Sequence, residues 1–306
     1  MCLALLGLTA AAPKPAIDDP EAKLSDTLVS EVVVKPGGPA WWEVSKGGRK
    51  VYVLGVLWTF PPDLEWSHRI LERRLRTATS VLLPAALSQG GATVVDESLP
   101  PSHWEQVPKV LKDRIAAAAK ILDKPVERYL SRPPLVAGYL LVSDFREREG
   151  LKSEAILSQV AVSIRDTGAS ARNAAVLPVE KYAKALGETT DAAGVACLEA
   201  ALGEVEAGAA PMREAVEGWA HGDVAAALTA PRGLELCGFA APGQGDLRRA
   251  AIDAQVTSIA QVLDGEPGAR PTAQYTAIAN LRTLLAEDGV LDRLRKRGYQ
   301  VRSPQD

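Results

Sequence analysis

Histidine is scarce in this chain. His68, His103 and His221 are the three among 306 residues, and they lie far apart, so a mechanism that gathers two or three imidazoles has only these to draw on. A surplus of charge is missing too. Thirty-five Lys and Arg against 38 Asp and Glu leave a formal net charge of −3, which removes the electrostatic case for nucleic acid as a partner. No apolar run is long enough to cross a bilayer as a helix. The Gly-rich phosphate loop, the Gly-x-Ser-x-Gly elbow, His-Glu-x-x-His and Cys-x-x-Cys are all absent, and with them the chemistries they carry. Ser, His and Asp occur without a spacing that singles out a triad, and the many carboxylates on predicted helices read as solvated faces.

What is present is globular: 47% hydrophobic and 24% charged residues, with enough chain to bury a sizeable core. Residues 1–12, "MCLALLGLTAAA", read as the apolar core and small-residue cleavage site of a secretory signal. No basic residue precedes that run, so the natural start is expected upstream, and the mature chain is expected to be exported, to a periplasm. Cys2 leaves with the signal. The remaining pair, Cys197 and Cys237, then suggests a disulfide, which would stabilise the fold by about 4 kcal/mol on the chain-entropy account. The alternative is two buried thiols in a cytosolic protein. Residues 13–38 are polar with Pro and Gly at both ends and read as a flexible tether, leaving a domain over 39–303.

The clearest local signal is "AWWEVSKGGRKVYVLGVLW". Alternating runs over 40–45 and 49–57 flank Gly47-Gly48, a hairpin turn pair, and the second run becomes nearly all apolar, as a strand buried on both faces does. Ser67 can cap a helix to about Thr77. "ATSVLLPAAL" reads as a short buried strand cut by Pro84, since proline cannot donate to a ladder. "SHWE" at 102–105 has capping-box spacing, ahead of a stripe of Leu111, Ile115, Ala118 and Leu122. A further amphipathic helix begins near Ser153, and "SARNAAVLPVE" reads as a strand. The Ala-rich section 189–240 is helical. Asp246 is placed as the cap of a helix that buries Ile252, Val256, Ile259 and Leu263, and Asp288 as the cap of a last helix that Gly298 ends. The fold class expected is α/β: a single domain with a central mixed sheet, opened by an N-terminal hairpin and surrounded by helices.

This layout resembles the TraB/GumN family, whose eukaryotic relatives include the Tiki proteins. The resemblance rests on "PAWWEVSKGGRKVYVLGVLWTFPPDLEW" at the start and "YTAIANLRTLLAEDGVLDRLRKRGYQV" at the end, with "SLPPSHWEQV", "LSRPPLVAGYLL" and "LRRAAIDAQVTSIAQVL" in the expected order between them. It implies a metal site made by two Gly-x-x-His motifs and a mid-chain Glu, which in the Tiki relatives supports peptide hydrolysis. Two imidazoles and a carboxylate can hold a divalent ion with one position open for water, and the ion makes that water a nucleophile near neutral pH.

Carried over, the first motif falls on Gly55-Val56-Leu57-Trp58, the Glu on Pro84, and the second motif on Ala277-Ile278-Ala279-Asn280. An indole offers no lone pair to a metal, proline has no side-chain donor, and a lone amide oxygen is a weak ligand. The Arg that the family carries before its late helix falls on Arg248 or Arg249, without its Asn. Trp58 either fills the vacated space with apolar area or lines a pocket that still takes an organic ligand. His68, ten residues past Trp58, is placed near the mouth of that pocket, so Trp58, His68 and Asn280 are the binding candidates. Asp63, Glu65, His103 and His221 are read as solvent-facing or capping. The expectation is a catalytically degenerate, exported member of such a family that binds a protein or peptide and needs no cofactor. The alternatives are a hydrolase whose divalent metal is held by other ligands, and a metal-free enzyme built on Asp and Glu.

Overall fold

The computed structural model describes residues 17–30, 38–87, 104–153, 155–178, 188–265 and 270–303. The signal segment, Ser102 and His103 lie outside them. The hairpin forms as its turn pair demands. β1 (Trp41–Lys46) and β2 (Arg49–Val56) are antiparallel. Gly47 and Gly48 sit at φ 56° and 87°, the left-handed region a two-residue turn of this hand requires. Trp41 and Trp42 are both buried.

β3 (Thr59–Phe60) follows at once, then α2 (Arg69–Thr77), β4 (Val81–Leu83) and β5 (Ala86–Leu87). Pro84 parts β4 from β5, as its missing N–H requires. A 3₁₀ turn at Trp104–Gln106 precedes α3 (Lys109–Ile121), α4 (Glu127–Leu130), α5 (Pro134–Arg148) and β6 (Lys152–Ser153). Then come α6 (Ala155–Thr167), β7 (Ala171–Asn173) and β8 (Val176–Leu177). The Ala-rich section supplies α7 (Asp191–Ala207), α8 (Ala210–Ala220), α9 (Val224–Ala227) and α10 (Gly233–Ala240). The chain closes with α11 (Gln244–Asp264), β9 (Gln274–Asn280), α12 (Leu281–Leu285), α13 (Val290–Lys296) and β10 (Gln300–Arg302).

The main sheet has six strands in the order β10-β1-β2-β9-β4-β7. From β2 to β7 every pairing is parallel, with Val56 opposite Asn280 and Leu83 opposite Asn173 at one end. Val53–Val56 and Tyr275–Ala279 are buried throughout, because helices cover both faces; α11 packs on β1 and β2, and α2 on β9. A second core, made by α3, α4, α5, α7 and α10, stands beside the sheet-centred one. There Cys197 and Cys237 are joined in a disulfide, Cα atoms 4.4 Å apart. A β-carbon at Gly138 of α5 would run into the Cys197 sulfur, so glycine is what lets the three helices meet.

Four local expectations are corrected. α2 starts one residue after His68, with no side-chain cap from Ser67. The helix expected from Ser102 begins instead at Lys109, behind Pro108. α11 starts at Gln244 behind Gly243, whose left-handed backbone turns the chain into the helix, and Asp246 lies in its first turn bound to Arg249. Asp288 itself adopts φ 59°, and Gly289 is the cap of α13. The tether reading also changes. Residues 17–30 pack on the domain: Leu28 is buried, Leu24 bridges Ala286, the Ser25 N–H reaches the Leu285 carbonyl at 2.9 Å, and Asp26–Ser30 form α1. One buried leucine, Leu28, one partly buried, Leu24, and partners for its acids hold this stretch on the domain in a way that its polar composition conceals.

Candidate functional site

Parallel pairing puts the C-terminal ends of β2, β9, β4 and β7 along one edge of the sheet, where open α/β sheets keep their ligands. Two cavities lie there. The larger, about 800 Å³, runs between Trp58, Pro84, Leu157, Ile164, Phe239 and Leu247, with Arg146, Glu235 and Arg248 as its charged wall. The smaller, about 40 Å³, lies between Trp58, Asn280, Arg282, Arg232 and Glu21. Trp58, Thr59 and Glu235 line both and so form the partition between them.

The loop that carries Trp58 is held by aromatic packing. Phe60 is fully buried, edge-on to Trp219 with centroids 4.8 Å apart, and Trp66 meets the same indole at 5.2 Å. Trp219 Nε1 donates to the Gly55 carbonyl at 2.7 Å. Gly55 itself has a steric reason: a β-carbon there would stand 2.7 Å from Leu281 and 3.0 Å from Trp42. Trp58 is half-buried and packs against the sheet-centred core, so it walls the cavities.

Behind the partition lies a buried polar cluster. Arg146 of α5 donates to both oxygens of Glu204 at 2.7 and 3.2 Å and to the Thr59 hydroxyl at 2.8 Å. Glu204 also accepts the Gly233 N–H at 2.7 Å. Glu235 Oε2, sealed from solvent, stands 3.5 Å from the Arg146 guanidinium. Burial pushes the Glu235 carboxyl above its ordinary range, with Arg146 opposing. On the other side of the niche, Asn280 Oδ1 accepts the N–H groups of Arg282 and Thr283, both at 3.0 Å, and caps α12. Burial, with repulsion from Arg232, lowers the pKa of Arg282.

Of the three binding candidates, Trp58 and Asn280 face the same niche, and Pro84 joins Trp58 on the larger cavity. His68 stacks on Trp66, centroids 4.1 Å apart, and lines neither. His221 Nδ1 lies 2.8 Å from the Glu217 carbonyl at the end of α8; Asp63 and Glu65 are exposed. The residues do not fit the metal implied by the resemblance. An indole, a pyrrolidine and an amide already spent as a helix cap offer no ligand set, and among the described residues no three His, Cys, Asp or Glu side chains gather into one. Sequence reasoning missed Arg146, Glu204, Glu235, Arg232 and Glu21, which carry no motif.

Among the described residues no helix is long and apolar enough to cross a membrane. No curated protein and no solved structure matches the chain. The family model for TraB/PrgY/gumN matches residues 40–303, which takes in the hairpin, the parallel strands whose ends carry Trp58, Pro84 and Asn280, and the closing helix and strand, and the chain therefore belongs to the TraB/PrgY/gumN family.

Proposed function

We propose that the protein is an exported binding member of its family, with the scaffold kept and the metal chemistry lost, and that the cleft at the strand ends takes a peptide or a segment of a partner protein. The observation that carries this is that Trp58 shares the smaller cavity with Asn280 and the larger with Pro84 at the strand ends, and that these side chains cannot grip an ion. The cleft is concave and mostly apolar with a few charged groups in its wall, the composition of a binding site. An indole on the partition is a suitable anchor for an organic ligand. Export is supported by the apolar first twelve residues and by the Cys197–Cys237 bond, since disulfides persist in oxidising compartments.

The test is direct. The purified chain should carry no stoichiometric divalent metal by mass spectrometry of the metal, and should cleave a broad peptide pool no faster with added zinc, manganese or cobalt. Stoichiometric metal, or cleavage that a chelator abolishes, would favour a hydrolase with other ligands and overturn the binding reading.

A further inference from the structure

We propose that the arginines around the smaller cavity form a recognition site for an acidic peptide, and that the chain's own residues 18–21 occupy it in cis. This deepens the binding reading above and rests on it. Asp18, Asp19 and Glu21 belong to the docked N-terminal segment, and each meets a guanidinium far away in sequence. Arg232 grips Asp19 with both nitrogens at 2.8 and 3.1 Å. Arg249 grips Asp18 in the same way at 3.0 and 2.5 Å. Glu21, 2% exposed, lies 3.6 Å from Arg232 and 3.4 Å from Arg248 and accepts the Thr283 hydroxyl.

The geometry is that of a ligand in a site. Two of the three carboxylates are held by planar forks, the arrangement in which Arg reads a carboxylate specifically. Asp18 sits so closely over the start of α11 that a β-carbon at Gly245 would collide with it. Glu21 reaches the wall of the cavity that Trp58 and Asn280 share, and Arg248 continues into the larger one. Arg282 faces the same niche; among the described residues it forms no ion pair, and its Nη2 donates to the Leu228 carbonyl at 2.6 Å. With the acidic segment lifted away, Arg232 and Arg282 on the smaller cavity and Arg248 on the larger would lose the charges of Asp19 and Glu21, with Glu235 the carboxylate left in the shared wall. A partner peptide presenting Asp-Asp-x-Glu spacing would satisfy the same forks and could extend into the apolar cavity.

The experiment uses the full chain with D18N, D19N and E21Q together, and a labelled peptide of sequence IDDPEAKL. The variant should bind that peptide saturably at one to one, at least tenfold more tightly than INNPQAKL and at least tenfold more tightly than the wild-type chain does, where residues 18–21 compete for the site. Adding R232Q to the variant should lower the affinity by tenfold or more. A folded variant that binds neither peptide, or both equally, overturns the proposal and shows the ion pairs to be structural staples only. Should the triple variant fail to fold, D18N with D19N, which keeps Glu21 on Thr283, must show the same preference. Hydrogen exchange on the wild-type chain gives a reading free of mutation: excess IDDPEAKL should speed exchange at residues 17–24 and leave β2 and β9 unchanged, and no change counts against the proposal. Peptide failure with no metal found leaves the binding reading standing with another ligand; metal-dependent cleavage removes that reading, whatever the arginines hold.

Discussion

Around the sheet, the core is made of Trp42, Val44, Val51, Val53, Leu54, Tyr275 and Ile278, large or branched side chains from paired strands. Beside it, the helical core is made of leucines with Ala118, Ala119, Ala137, Ala193 and Ala201 between them. Small residues let helices approach closely, but each buries little apolar area, and burial stabilises by about 25 cal/mol per Å². The helical core accordingly carries devices that the strands do without: a disulfide between α7 and α10, the buried Arg146–Glu204 pair with side chains 4% and 2% exposed, and Asp144 held by Arg128 and Tyr129. The difference also bears on function. Arg146 and Glu235 in the cleft wall come from the helical core, while Trp58 and Asn280 come from the strand ends, so the cleft is a seam between an apolar framework and a polar, stapled one.

The largest effect that tests this contrast is E204A. It leaves the Arg146 guanidinium buried with the neutral Thr59 hydroxyl and the longer Glu235 contact, and the loss of a buried charged partner typically costs about 3–5 kcal/mol. I278V, which trims one methyl from the sheet core, should cost about 0.5–1.5 kcal/mol. Urea unfolding of both variants decides the matter; equal losses would mean that the ion pair is not what holds the helices. Next comes C197S with C237S, expected to lower stability by about 2–4 kcal/mol, with exchange protection falling first in α7 and α10 and later in β2 and β9. Uniform loss across both cores would show that they unfold as one unit.

How much of this was readable in the chain divides along the same seam. The hairpin, the Pro84 break and the Cys197–Cys237 pairing were legible because each depends on a few residues whose covalent chemistry restricts the outcome. The burial of Ile252, Val256, Ile259 and Leu263 was legible from helical period alone. The caps were less so: Asp246 and Asp288 look like caps, but Gly243 and Gly289 stand at the starts because backbone geometry decided there. The partners of Asp19 and Glu204 were not legible at all. Asp19 finds Arg232 across 213 positions and Glu204 finds Arg146 across 58, and one carboxylate in a polar stretch looks like any other until the fold brings a guanidinium to it. Trp58 stood out in the sequence because the resemblance implies a histidine at its position, but its place on a partition between two cavities comes from Trp219 and Phe60, which hold its loop.

The smallest expected effect is the pH dependence that Asp144 gives the helical core. Burial alone would raise the Asp144 carboxyl, but hydrogen bonds from Arg128 at 2.6 and 2.8 Å and from Tyr129 at 2.8 Å outweigh it and hold the pKa below the usual carboxylate range. A carboxyl of about 3.9 in the unfolded chain and lower in the folded one lends its stability in full above the unfolded value, and loses it as pH falls through the folded value. Arg128 has 41% of its side chain exposed, so water screens the pair and the effect is modest. Y129F removes one donor to the carboxylate. The gap in urea midpoint between wild type and Y129F should therefore be widest above about pH 5 and shrink as acid protonates Asp144. The strands bury no carboxylate among the described residues, so their exchange protection should not follow that change. A gap that stays constant with pH would mean that Tyr129 acts by packing alone, and the helical core would then be set apart only by its disulfide and the Arg146–Glu204 pair.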